Sequence, residues 1–168
     1  MEAIRNEYAK LGIDNFYKMN ANSYTNPHIN IIKKLLSEIQ IKGNCLDLCC
    51  GGGEVTNNIN VDNIIGCDPY TFDLYTKNTS KKCLKYDFKD IANGKITDNF
   101  NYIICSFALH LCPASLLNTV LFNLALISEN LIIVTPNKKP EIKNYWTLEK
   151  EIIKDRVRLR IYKRNIEI

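Results

Sequence analysis

The densest chemistry in this sequence lies in Leu46-Asp47-Leu48-Cys49-Cys50-Gly51-Gly52-Gly53-Glu54, where an apolar strand runs straight into glycines. Glycine admits positive φ and lets a ligand approach the backbone where a Cβ would collide. A strand end of this kind, followed by a short helix, presents amide donors to a polar ligand. The dinucleotide fingerprint G-x-G-x-x-G needs a third glycine three residues after the second. Counted from Gly51 and Gly53, that place holds Thr56. Asp47 also sits within the segment, where it would repel a pyrophosphate and welcome an ammonium group. The pattern therefore favours a cofactor with a cationic amino-acid end over a nicotinamide dinucleotide.

Three more positions could serve such a cofactor. Asp68 follows the apolar run Ile64-Ile65-Gly66-Cys67, about twenty residues after Asp47, a spacing at which a carboxylate accepts both ribose hydroxyls. Taken alone it also reads as a turn aspartate before Pro69. Tyr86-Asp87-Phe88 repeats the arrangement after the next strand, with a loop aspartate and a core phenylalanine as the plainer reading. In Cys105-Ser106-Phe107-Ala108-Leu109-His110, the imidazole of His110 titrates near neutral pH and is a candidate general base; a helix-capping histidine is the alternative.

The elements that must position these residues alternate strand and helix with little linker, which points to an α/β sheet. Ile29, Ile32, Leu35, Leu36 and Ile39 recur at helix spacing after Asn26-Pro27. Residues 45–49, 63–67, 83–86, 102–105 and 131–135 are short apolar runs, as expected of strands covered on both faces. Residues 113–127 read as a helix with Leu116, Leu117, Val120, Leu121, Leu124 and Ile127 inward and Pro113 in the first turn. The end differs: residues 146–153, a turn at Lys154-Asp155 and residues 156–162 read as a hairpin, with Val157, Leu159 and Ile161 alternating with Arg156, Arg158 and Arg160. The segment before residue 40 reads as one or two short helices. The linker 136–145 is too short and Pro-broken for a long helix.

Together these segments resemble the class I S-adenosylmethionine-dependent methyltransferases. L-D-L-C-C-G-G-G is similar to their first motif, hydrophobic-D-x-G-x-G-x-G, with Cys49 where the first glycine stands. The resemblance implies a Rossmann-like α/β fold with a mostly parallel seven-stranded sheet ending in an antiparallel hairpin and helices on both faces. It implies S-adenosylmethionine as cofactor, bound by Asp47, Cys49, Gly51, Gly53, Asp68, Pro69, Tyr70, Asp87, Phe88, Ser106 and Phe107, with S-adenosylhomocysteine as product. The chain also looks like small members with a Y-x-N-P-H segment, a D-P-Y-T after the second strand and T-P-x-K-x-P-E after the fifth; Tyr24 to His28, Asp68 to Thr71 and Thr135 to Glu141 fit.

Methyl transfer from a sulfonium is an in-line displacement for which the protein mainly aligns acceptor and methyl group and excludes water. The acceptor site therefore needs no fixed motif. Tyr17, Tyr24, Asn26, His28, His110, Asn137 and Trp146 are its candidate walls over the strand carboxyl ends, with Tyr17 and Tyr24 better suited to a lid.

The 168 residues suit one methyltransferase domain, with residues 1–25 as a helical lid segment. The N-terminus shows no secretory pattern and no apolar run spans a bilayer, so a cytoplasmic protein is expected. The seven cysteines are odd in number and mostly within apolar runs, where they act as small hydrophobes; they and the two histidines lack zinc-ligand spacing, so no metal is expected. Net charge is +4, concentrated from Lys138 onward, where ten Lys or Arg face five Asp or Glu. A small-molecule acceptor is the first expectation. The alternative is a non-catalytic subunit of the same fold that binds RNA or a protein through its basic hairpin.

Overall fold

A computed structural model describes residues 4–22 and 26–168. The chain forms a seven-stranded sheet in the order β3-β2-β1-β4-β5-β7-β6. The strands are β1 (Asn44–Leu48), β2 (Asn63–Cys67), β3 (Cys83–Leu84), β4 (Tyr102–Ser106), β5 (Asn130–Thr135), β6 (Trp146–Lys154) and β7 (Val157–Arg164). Strands β1 to β5 pair in parallel, while β7 runs antiparallel to both β5 and β6. The mostly parallel sheet, the terminal hairpin and helices on both faces are as expected.

Alternation along each strand divides the core. On one face Leu46, Leu48, Ile103, Cys105, Leu131 and Ile133 pack against Ile91 of α5 (Phe88–Ala92) and Val120, Leu121 and Leu124 of α6 (Ala114–Ile127). On the other, Cys45, Ile104, Ile132, Val134 and Leu159 meet Ile32, Leu35 and Leu36 of α3 (Ile29–Leu36). Gly66 lies on this second face, where Tyr75 of α4 (Phe72–Thr79) fills the place of its missing side chain. Two short helices precede all of this, α1 (Ile4–Leu11) and α2 (Ile13–Asn20).

The chain runs outward from β1 to β3, then returns to β4 on the other side of β1. That reversal opens a crevice beyond the carboxyl ends of β1 and β4, where open α/β sheets bind ligands. The loops holding Cys49 to Glu54, Asp68, Asp87 and Ser106 all reach it.

The sequence reading shifts at two turns. The helix expected after the glycines is a single 3-10 turn, Thr56–Asn58. The hairpin turn is Asp155-Arg156, both at positive φ (48° and 67°), one residue later than expected. This takes Arg156 off the strand. Residues 136–145 contain no helix, as their length and prolines imply.

Arginines on β7 are also less free than the alternation implies. Insertion between β5 and β6 makes β7 an interior strand, and Arg160 is buried at 8% exposure. Its Nε donates to Glu151 Oε2 at 2.7 Å and its Nη1 to the Lys138 carbonyl at 2.8 Å; Arg158 donates to Glu151 Oε1 at 3.0 Å. Glu151 is held below the usual carboxylate range, chiefly by the Arg160 hydrogen bond. Its contribution to stability is thus present above the ordinary carboxylate pKa and lost as pH falls through the lowered value. Glu151→Gln strands a buried guanidinium and should cost about 2 kcal/mol in urea unfolding at pH 7, with the deficit shrinking as both proteins are taken to acid pH.

Candidate cofactor site

A cavity of about 590 Å³ opens at the switch point. Asp47, Cys49, Gly51, Asp68, Pro69, Tyr70, Asp87, Phe88, Ser106, Phe107, Tyr17 and Asn26 all contribute to its wall. Residues far apart in sequence are thus brought together around one space.

Asp47 is the last residue but one of β1, on the helix α3 side, 1% exposed. Its Oδ2 accepts from Thr56 Oγ1 at 2.7 Å and from the Thr56 amide at 3.3 Å, and Thr56 Oγ1 is 2.8 Å from the Tyr75 hydroxyl. Burial, with Glu54 and Asp68 nearby, pushes its carboxyl up to about 8. Two hydrogen bonds do not repay the desolvation of a charge, so the neutral form is favoured well above the usual carboxylate range. Glu54, whose carboxyl is also raised by burial, joins the wall and accepts from the Asn26 amide at 3.3 Å. The sequence reading quoted Glu54 but assigned it no role; its place in the last turn of the loop was the available signal.

Asp68 closes β2. Its Oδ1 accepts from the amides of Tyr70 and Thr71 at 2.8 and 2.9 Å, which shapes the entry to α4. Its Oδ2 takes only a long bond, 3.3 Å, from the Gly51 amide and keeps acceptor capacity. The turn bonds are therefore confined to one oxygen, and the other lies in the cavity wall with capacity to spare. Asp87 behaves alike: it caps α5 in a capping box with Asp90, accepting the Asp90 amide at 2.8 Å through Oδ1.

Cys49, where the resemblance has glycine, sits at φ 55°, and Phe107 at the end of β4 has the same value. Such left-handed backbone in a residue with a side chain is a strain that surrounding structure must hold in place. Gly53, at φ 94°, is not part of the wall; a Cβ there would lie 2.4 Å from the Thr79 side chain, so it lets the loop pass close over α4.

The N-terminal helices touch the cavity wall. Tyr17 of α2 stacks on Tyr70 (centroids 5.9 Å apart, planes 9°), and the Tyr70 hydroxyl donates to Asp14 Oδ1 at 2.7 Å. Gly12, Ile13, Asp14 and Asn15 line the cavity as well, none of them singled out by motif. Tyr24 lies outside the described residues.

Four expected residues stand elsewhere. Trp146 is a correction: it is buried at 2% in the core against α6, with its indole N–H donating to the Leu121 carbonyl at 3.0 Å, because the first residue of β6 faces inward. His28 backs the wall, stacked on Phe107 at 4.9 Å, rather than forming it. Asn137 is held in its loop by a hydrogen bond from its backbone N–H to Thr135 Oγ1 at 3.1 Å and does not reach the cavity. His110 lies on a 3-10 turn (Leu109–Leu111) whose flanking residues Ala108 and Leu111 line the cavity while its own ring does not. Burial lowers its pKa, and its Nδ1 has no hydrogen-bond partner among the described residues. It is therefore neither a satisfied cap nor, in this geometry, within the crevice.

No family model matches the chain. An uncharacterized protein of Schizosaccharomyces pombe is 29% identical over 86% of this chain and 78% of its own length. Among solved structures, the N-methyltransferase NodS of Bradyrhizobium japonicum, in complex with S-adenosyl-L-homocysteine, superposes with TM-score 0.69 at 12% identity, over 95% of this chain and 98% of that one. The fold is that of the class I methyltransferases. A TehB-like S-adenosylmethionine-dependent methyltransferase of Corynebacterium glutamicum (TM-score 0.62, 12% identity, 95% and 97% covered) agrees. So does magnesium protoporphyrin IX methyltransferase of Synechocystis with its bound cofactor (0.58, 12%, 96% and 95%). Among the described residues, no helix is long and apolar enough to cross a membrane.

The raised Asp47 pKa makes a stability prediction within this fold. A folded pKa above the unfolded one means stability that is full below about pH 4 and lost as pH rises through about 8. Asp47→Asn keeps an acceptor for Thr56 and removes the titration. Denaturant melts should show the variant gaining on the wild type as pH rises from 5 to 9, by a few kcal/mol at the alkaline end, despite its loss of a charge in the crevice.

Proposed function

We propose that the crevice binds S-adenosylmethionine and that the protein is a methyltransferase acting on an acceptor small enough to share the space under the α1–α2 lid. The observation that carries this reading is the convergence of carboxylates from three consecutive strand ends, Asp47, Asp68 and Asp87, on one cavity. Each keeps an acceptor or an unpaired charge directed at a different part of such a ligand.

The residues present fit the group. Asp47 would take the ammonium, the free oxygen of Asp68 the ribose hydroxyls, and Asp87 with Phe88 the adenine. Ser106 Oγ, a cavity-wall hydroxyl buried without a partner among the described residues, supplies a further polar contact. The cofactor supplies an activated methyl group and its own leaving group. The protein's part is to fix the acceptor in line, with Asn26 and Glu54 over the first loop, and to exclude water through Tyr17 and Tyr70. The small-molecule preference rests on the lid's coverage. The basic hairpin offers less to RNA than its sequence implies, since Arg158 and Arg160 are engaged by Glu151.

Calorimetric titration with S-adenosylhomocysteine tests the cofactor. The expected result is a Kd in the micromolar range, about −8 kcal/mol. Asp68→Asn, with its melting temperature checked because Asp68 also shapes the α4 entry, should weaken binding at least about tenfold. An ammonium needs the ionised form of Asp47, so affinity should strengthen from about pH 6 toward pH 8. No binding by the folded wild type would sink the reading. His110→Gln should leave this affinity unchanged; loss of turnover on an identified acceptor, with affinity intact, would establish His110 as the base.

A further inference from the structure

Four of the seven cysteines lie on strands of the sheet, and the seven are not evenly placed. Cys50 Sγ and Cys83 Sγ lie 3.6 Å apart, although the residues are 33 positions apart in sequence. The contact exists because of Gly66. Gly66 pairs in register with Cys83 on the neighbouring strand and shows the same face to α4. A Cβ on Gly66 would sit 2.8 Å from Cys50 Sγ, so the missing side chain leaves the channel through which Cys50 reaches the edge strand β3. The two thiols differ in access: Cys50 is buried, Cys83 is half-buried at the sheet edge. Cys50 also belongs to the cavity wall, one residue before the amide that Gly51 gives to Asp68.

We propose that Cys50 and Cys83 form a reversible disulfide, with a peroxide as oxidant, that displaces the first loop and lowers the cofactor affinity of the crevice. In the first step the more accessible Cys83 thiolate attacks a peroxide oxygen; the O–O bond breaks, and a sulfenic acid and hydroxide form. Cys50 sulfur then attacks Cys83 sulfur, the S–S bond forms, the S–OH bond breaks, and the hydroxide leaves with the Cys50 proton as water. Two electrons pass from the thiol pair to the peroxide, which ends as two waters. Burial holds the Cys50 thiol protonated, which leaves first attack to Cys83; Cys50 gives up its proton as it displaces the hydroxide. Closing 3.6 Å to a bonded length of about 2.05 Å requires a relative movement of about 1.5 Å. Two bonds of 2.9 Å tie the residues on either side of Cys83 to β2 (Gly66 N–H to the Lys82 carbonyl, Asp68 N–H to the Leu84 carbonyl), against one of 3.2 Å from the Cys50 N–H to the Cys67 carbonyl, so the movement falls on the loop of Cys49, Cys50 and Gly51.

The effect on affinity rests on the cofactor reading above; the cross-link does not. The full chain, reduced and then treated with hydrogen peroxide, is alkylated and digested without reductant. The expected product is a peptide pair joining Cys50 to Cys83, reversed by dithiothreitol. Amide hydrogen exchange across residues 49–55 should change on oxidation in the wild type and not in Cys83→Ser, whose residue lies outside the cavity wall. Affinity for S-adenosylhomocysteine should fall roughly tenfold or more on oxidation and stay constant in Cys83→Ser and Cys83→Ala. Oxidation of other cysteines without a Cys50–Cys83 link, in a chain still folded by circular dichroism, overturns the proposal. A link that leaves loop exchange unchanged overturns its regulatory half. Failure of the reduced wild type to bind at all defeats the cofactor reading, and leaves the link and loop exchange to decide the disulfide.

Discussion

A carboxylate pressed into the sheet governs the crevice. Asp47 has almost no contact with solvent, and its neighbours are a threonine hydroxyl, one amide and two further acids. No cation among the described residues is hydrogen-bonded to it. Such a group costs stability at neutral pH, and the structure around it reads as accommodation of that cost. The loop after β1 folds back in a 3-10 turn so that Thr56 can reach the carboxylate, and Tyr75 of α4 buttresses Thr56 from behind. Gly66 must lack a side chain for Tyr75 to lie where it does.

The same economy recurs at the next two strand ends. Asp68 and Asp87 each commit one oxygen to their own chain, at the start of α4 and of α5, and that commitment aims the other oxygen. The bonds that start each helix thus also fix how the carboxylate stands in the crevice wall. The strained backbone at Cys49 and Phe107 belongs to this pattern, since both sit where the chain leaves β1 and β4 at the point of topological reversal.

The opposite end of the sheet solves a different problem. Arginines on β7 alternate as if for solvent, yet β7 is inserted between two strands. Glu151 and the carbonyl of Lys138 absorb the charge, and the linker 136–145 takes the place of a helix over that part of the sheet. The basic excess of the tail is thus partly internal bookkeeping of the sheet rather than a display surface.

What the sequence determined by itself was local and periodic. The strands β1, β2, β4 and β5, the face of α6, the missing helix before β6 and the positions of Asp47, Asp68 and Asp87 at strand ends all follow from apolar runs and from what interrupts them, because those signals depend on neighbours in the chain. Strand order, and with it the burial of Arg160, depends on which strands pair across long loops, and no local signal carries that. The same holds for Trp146, whose ring reads as an available aromatic until β6 turns it toward α6. His110 had the right distance along the chain from Ser106 but not the right side of the turn. Asp14 and Glu54 join the crevice only when α2 folds across the sheet and the first loop coils back. The meeting of Cys50 with Cys83 is likewise tertiary, made by a glycine on a strand between them.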